Sequence, residues 1–257
     1  MGAGARGLAA GGGAVILWWW WWRLHPTPRP FAQRLWIDVP HPFVTQRRLR
    51  QVLAPVPGER LLEVGVGSGR YALSVVRWLG ERGRLAVLDL QEEMLALTMR
   101  RSLDRGITNV APACADAAAL PYPDDAFDAV YLVSTLGQVP DMTAALRELS
   151  RVVHPGGRVV VGELCYDPHG VFFGTLRRCA AEADLRFECR VGGWAGYFAR
   201  FTSVEVGGRS RPDGFTLPRR PVPQLDGCRE DRASHVIWAI SRSISECYGY
   251  LPRPGWP

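Results

Sequence analysis

Leu61-Leu62-Glu63-Val64-Gly65-Val66-Gly67-Ser68-Gly69-Arg70-Tyr71 decides the fold of this 257-residue chain. Leu61, Leu62 and Val64 make the continuous apolar run of a parallel strand buried on both faces. Gly65, Gly67 and Gly69 then alternate, as in a turn where positive φ and close backbone approach are cheap only without a Cβ. Helical residues resume at Tyr71-Ala72-Leu73, so a bound anionic group would face a helix N-terminus with its backbone N–H groups. Taken alone, a glycine loop also fits an ordinary tight turn.

Spacing separates two ligands. A dinucleotide fingerprint carries glycines at its first, third and sixth positions. Here the fifth position is Gly69, the sixth is Arg70, and Glu63 stands two residues before the first. This E-x-G-x-G-x-G pattern resembles motif I of the class I S-adenosylmethionine-dependent methyltransferases. The resemblance implies that Gly65, Gly67 and Gly69 wrap the methionine part of the cofactor, while Glu63 holds its amino group directly or through water.

Further blocks follow in the same order. Arg84 to Asp89 reads as a second strand ending in an acid about twenty residues past the loop. A carboxylate there can accept from two vicinal ribose hydroxyls, each bond worth roughly 1.5–3 kcal/mol. Asp89 equally fits a helix N-cap before Gln91-Glu92-Glu93. Asn109 to Asp116 resembles the third strand and the acid that meets the adenine amino group, and Asp116 also suits simple turn chemistry. The resemblance adds Leu90, Ala117 and Ser134 to the cofactor contacts. A Pro- and Asp-rich loop at 120–126 precedes an apolar fourth strand, Phe127 to Ser134. Leu146 to Leu164 supplies a helix, a Pro-Gly-Gly turn and a fifth strand. These blocks resemble the small-molecule, quinone-biosynthesis-like (methyltransferase type 11) branch, with His154 where that branch usually has lysine.

The implied fold is α/β: a Rossmann-like, doubly wound, seven-stranded sheet, mostly parallel with an antiparallel last strand. Leu185–Val191 and Gly196–Val206 fit its last two strands, joined at Gly192-Gly193, after a helix from about Val171 to Ala183. The organisation expected is a Trp-rich leader and Pro linker over 1–30, a methyltransferase domain over 31–206 with a cap at 31–56, and a Pro/Gly/Arg-rich extension over 207–257. That extension carries one apolar stripe, Ala233, Val236, Ile237, Ile240 and Ile244.

The formal charge is +6, yet every basic residue is Arg, Lys is absent, and the arginines are scattered. A phosphate-tracking face needs a stripe or patch, so nucleic acid is disfavoured as a partner. Six cysteines show no C-x-x-C pair and five histidines no ligand spacing, which points away from a metal site. A reducing cytoplasm is the default for such free thiols. Leu8 to Trp22 is uncharged but shorter than the roughly twenty residues of a spanning helix. Because tryptophan favours the membrane interface, this segment suits contact with a membrane surface, and equally a leader with no such role.

Catalytic residues are less legible, because a sulfonium methyl needs no enzyme nucleophile. His41 in the cap and Glu163, Tyr166 and His169 after the fifth strand are the candidates to orient or deprotonate an acceptor, since strand C-terminal ends carry the ligands of such sheets. Trp36, Pro40, Pro42 and Phe43 are candidate lid residues; Gln138, Trp194 and Tyr197 are weaker candidates. The expected function is methyl transfer to a small molecule, lipophilic if the tryptophan run has a purpose. The alternatives are a silent cofactor-binding module tethered to a membrane partner, an RNA or protein methyltransferase, and a nicotinamide oxidoreductase of similar topology.

Overall fold

The computed structural model describes residues 21–22, 27, 31–33 and 41–204. Expectations placed on the rest of the leader, on Trp36 and Pro40, and on 207–257 lie outside the described residues. Phe31–Gln33 is a single 3-10 turn.

The cap contributes α1, Gln46–Leu53. Thr45 caps it, its hydroxyl accepting the Arg48 N–H at 3.3 Å, which satisfies one orphan donor of the first turn. Leu49, Val52 and Leu53 bury one face. The helix stops at Ala54, left-handed at φ 45°, immediately before Pro55, which cannot continue a helix.

The core alternates as its apolar periodicities require: β1 Arg60–Val64, α2 Ala72–Leu79, β2 Arg84–Asp89, α3 Glu92–Leu103, β3 Val110–Cys114, β4 Phe127–Val133, α4 Met142–Val152, β5 Val153–Leu164, α5 Phe173–Ala181, β6 Leu185–Gly192 and β7 Gly196–Ser203. Strand order is β3-β2-β1-β4-β5-β7-β6, with β7 antiparallel to both its neighbours. Leu61, Leu62, Val87, Val130 and Val160 are fully buried, each worth about 1.5–3 kcal/mol relative to exposure. Helices on both faces make this possible.

One expectation changes in detail. Pro155-Gly156-Gly157 does not separate helix from strand; α4 passes directly into β5, which contains all three residues. Gly156 takes φ +79°, and the β4–β5 register shifts between Phe127 and Ala129. The turn is absorbed as a bulge, which inserts residues into one strand of a ladder.

The cap is anchored on the far side of the sheet. Arg200 of β7 is 1% exposed, paired with Glu188 at 2.6 Å, and its guanidinium reaches the Val52 carbonyl of α1 at 3.5 Å.

Candidate functional site

The chain runs outward from β1 through β2 to β3, then returns to β4 on the other side of β1. Ligands of open α/β sheets bind at such a switch point, beyond the strand C-termini. A cavity of about 290 Å³ lies there, near the low end of the roughly 300–1,000 Å³ usual for small-molecule pockets. Its wall includes Glu63, Gly65, Gly67, Asp89, Leu90, Asp116, Ala117 and Ser134. The topology therefore gathers eight of the nine residues expected to contact the cofactor.

The ninth, Gly69, supports the loop from behind. It holds φ +78°, and a Cβ there would sit 2.8 Å from the Thr98 hydroxyl of α3. At Gly65, φ +73°, a Cβ would collide with the Thr135 side chain. Two loops thus approach too closely for any other residue. The glycine loop is also tied through its carbonyls: Thr98 Oγ1 donates to Gly67 O at 3.0 Å, Arg101 Nη1 to Ser68 O at 2.8 Å and Gln46 Nε2 to Arg70 O at 3.0 Å. A loop held this way pays little ordering entropy on binding.

Four carboxylates, Glu63, Asp89, Asp116 and Asp167, line the cavity beside one arginine, Arg70. Glu63, 2% exposed, accepts the Tyr131 hydroxyl at 2.7 Å. Burial pushes its carboxyl up to about 8; the Tyr131 bond opposes this and the Asp89 charge adds to it. Asp89 accepts from Gly67 N at 2.9 Å through one oxygen and from Gln91 N at 3.0 Å through the other. Burial raises its pKa and those backbone bonds lower it. The N-cap reading of Asp89 does not hold, since Gln91 stands at the N-cap of α3. The carboxylate instead ties the glycine loop to the start of that helix and still faces the cavity, where a lone pair can accept a ligand hydroxyl. Asp116 is exposed and accepts the Ala118 N–H at 2.9 Å, closing a turn while facing the cavity.

After β4, Ser134 is left-handed at φ 52°. Its N–H donates to Gly162 O at 2.7 Å, and its buried Oγ has no partner. A buried hydroxyl without a partner is costly, which suits a group completed by a ligand. Gln138, also in the wall, donates to the Ser134 carbonyl at 2.7 Å.

The catalytic candidates divide. His41 lines the cavity, its Nδ1 3.2 Å from the Tyr166 hydroxyl. Tyr166 is 48% exposed and packs edge-on to Phe43 at 6.1 Å. Glu163 and His169 stand outside the wall. Glu163, 1% exposed, accepts the Val171 N–H at 3.4 Å; His169 Nε2 lies 3.1 Å from the Trp22 carbonyl, with the Trp22 ring edge-on at 5.7 Å. Both hold the loop that follows β5. Trp194 is 81% exposed in the β6–β7 hairpin, and buried Tyr197 donates to Val171 O at 2.8 Å.

Tyr71, Tyr131 and Asp167 were not singled out from the sequence. Tyr131 is one hydroxyl within an apolar strand, and only the β1–β4 register brings it opposite Glu63. Tyr71 ties the cap to the loop, donating to the buried Val44 carbonyl at 2.6 Å. Burial raises its pKa to about 12, so it remains the donor at neutral pH. Tyr71→Phe should destabilise by about 1–3 kcal/mol through the unsatisfied carbonyl, a melting point lower by roughly 2–4 °C per kcal/mol in thermal unfolding followed by circular dichroism.

The model of the ubiE/COQ5 methyltransferase family matches residues 41–169. The ubiquinone/menaquinone biosynthesis C-methyltransferase UbiE of Shewanella frigidimarina is 34% identical over 125 residues, covering 48% of this chain and 50% of that protein. The protein of the same name from Serratia proteamaculans is 39% identical over 107 residues, 41% of this chain and 43% of that one. This chain thus spans about half the length of the curated relatives it matches. A SAM-dependent methyltransferase from Aquifex aeolicus superposes with TM-score 0.59 at 20% identity, covering 69% of this chain and all of that one. The [4+2]-cyclase SpnF superposes with TM-score 0.52 at 25% identity over 57% of each chain. The last likeness cautions that this architecture also carries other chemistry.

Proposed function

Because the chain belongs to the ubiE/COQ5 methyltransferase family, we propose that it transfers a methyl group from S-adenosylmethionine to a small, lipophilic acceptor. The observation that carries this reading is the row of acids Glu63, Asp89 and Asp116 at successive strand ends around the glycine loop. They suit a cationic ligand with one ammonium, a diol and an exocyclic amine.

When bound, S-adenosylmethionine supplies a methyl already activated by its sulfonium. Glu63 accepts from the ammonium, Asp89 from the ribose hydroxyls and Asp116 from the adenine amine, with Leu90 and Ala117 beside the base. The unpartnered Ser134 hydroxyl completes the set. Val64, Leu88, Val133 and Leu164 give the wall its apolar part and exclude water. Charge on the sulfonium is lost during attack, and a preorganised dry site loses less by this than a hydrated one. Positioning supplies much of the remaining acceleration.

The curated relatives are named for C-methylation in quinone biosynthesis; a ring carbon activated by a neighbouring hydroxyl is the acceptor class we infer here. His41, at the cavity wall and hydrogen-bonded to Tyr166, takes the hydroxyl proton in this scheme. Among the described residues no helix is long and apolar enough to cross a membrane. Contact of the tryptophan run with a membrane surface is inferred from the interfacial preference of tryptophan alone; Trp22, which ends that run, packs against His169 on the loop whose Asp167 lines the cavity.

Purified protein given methyl-labelled S-adenosylmethionine and a fractionated lysate should place label in the organic extract. Label confined to RNA or protein would overturn the acceptor class. Cofactor binding with no transfer to any fraction would favour a silent binding module.

A further inference from the structure

We propose that Tyr131 is a positioning residue for the ammonium site, and that Glu63 must lose a proton for this site to engage the cofactor, so that cofactor capture releases a proton to solvent. The inference rests on the reading of the cavity as an S-adenosylmethionine site.

The geometry is specific to this pair. Glu63 of β1 and Tyr131 of β4 are register partners in adjacent parallel strands. Tyr131 is fully buried, Glu63 is 2% exposed, and the hydroxyl donates to Oε2 at 2.7 Å. Among the described residues no cationic side chain pairs with Glu63. The charged and titratable groups around it are Tyr131 from β4, Asp89 from β2, and Tyr71 at the entry to α2, with Arg70 in the same wall and over the Tyr71 ring at 5.8 Å. A carboxylate with one neutral donor and a like charge nearby is expensive to ionise. The carboxyl, pushed up to about 8 chiefly by burial, agrees with this, and the burial favours its acid form while no cation is bound.

An ammonium arriving beside Glu63 reverses the balance. The carboxyl O–H proton leaves to water through the cavity, the carboxylate remains, and ammonium and Tyr131 hydroxyl both donate to it. Charge balances: one cation enters and one proton departs. Tyr131 makes this affordable, since a hydrogen bond to the charged form favours ionisation. It also fixes Oε2, so the carboxylate faces one direction when the ammonium arrives.

Two variants of the full chain test this by calorimetric titration with S-adenosylhomocysteine, in buffers of different ionisation enthalpy, between roughly pH 7 and 9.5. Below the Glu63 pKa the wild type should release close to one proton per ligand, and its affinity should rise with pH by up to about tenfold per unit. In Tyr131→Phe the carboxyl is harder to ionise, so proton release should persist to higher pH. The ratio of wild-type to variant affinity should then shrink as pH rises. The ligand amine titrates identically in both measurements and cancels in that ratio. Glu63→Gln should abolish the release and flatten the pH dependence, and it decides the matter if Tyr131→Phe folds poorly. A ratio constant across the range would reduce Tyr131 to packing, and wild-type proton release in Glu63→Gln would remove Glu63 as the source. A wild type that does not bind S-adenosylhomocysteine is a separate failure, that of the cofactor reading itself.

Discussion

Asp89→Ala should weaken S-adenosylhomocysteine binding by about 10²-fold or more at neutral pH. Two hydrogen bonds from ribose hydroxyls to a charged acceptor are worth roughly 3–6 kcal/mol together, and every 1.4 kcal/mol is about tenfold in affinity. The substitution also frees two backbone donors. Gly67 N and Gln91 N both lose the carboxylate that holds them at 2.9 and 3.0 Å, so the glycine loop and the start of α3 loosen together. Asp89→Asn keeps one acceptor oxygen and should fall between wild type and alanine. Titration calorimetry on the three proteins gives the comparison, and unchanged affinity in Asp89→Ala would remove the ribose assignment.

Gly65→Ala should do comparable damage by a different route. A left-handed backbone costs a Cβ-bearing residue roughly 1–2 kcal/mol, and the new methyl would also meet the Thr135 side chain. Either the glycine loop or the loop after β4 must move, and both line the cavity. Ligand affinity should drop by more than tenfold, and the melting temperature should fall as well. Gly65→Ala with Thr135→Ala should recover part of the loss, because it relieves the collision and leaves the φ strain. Wild-type affinity in the single variant would show that the two loops tolerate separation.

The gathering of the acids and glycines at one cavity was legible because motif chemistry shows itself as local patterns. Glu63 and the three glycines lie within seven residues, and Asp89 and Asp116 end strands that the apolar runs announce. Elements were legible for the same reason: the apolar runs Arg84 to Asp89 and Phe127 to Ser134 announce β2 and β4 almost to the residue. What stayed hidden depends on pairing across the sheet. Tyr131 reads as one more apolar-strand residue until β4 docks beside β1. Glu163 and His169 look like reactive groups at a strand end, yet neither lines the cavity: Glu163 Oε2 accepts from Val171 N and His169 Nε2 lies against the Trp22 carbonyl. Side-chain direction in a loop follows from packing, and no spacing encodes it. The Pro155-Gly156-Gly157 segment misleads for a related reason, since pairing of Val153 and Arg158 with β4 on either side of it encloses the turn as a bulge within β5.

The outward-then-return course of the chain about β1 has a consequence for how the protein can change. Acids assigned to the cofactor, Glu63, Asp89 and Asp116, all arrive before residue 117, on the half of the sheet formed by β1, β2 and β3. His41, Gln138 and Asp167, on the opposite wall, come from the cap and from loops that follow β4 and β5. The two sets meet only where Thr135 packs on Gly65 and where Ser134 faces the cavity, so most acceptor-side positions can change without disturbing the acids. Acceptor preference then becomes an exchangeable trait, and grafting the cap with the two later loops is the economical way to redirect it.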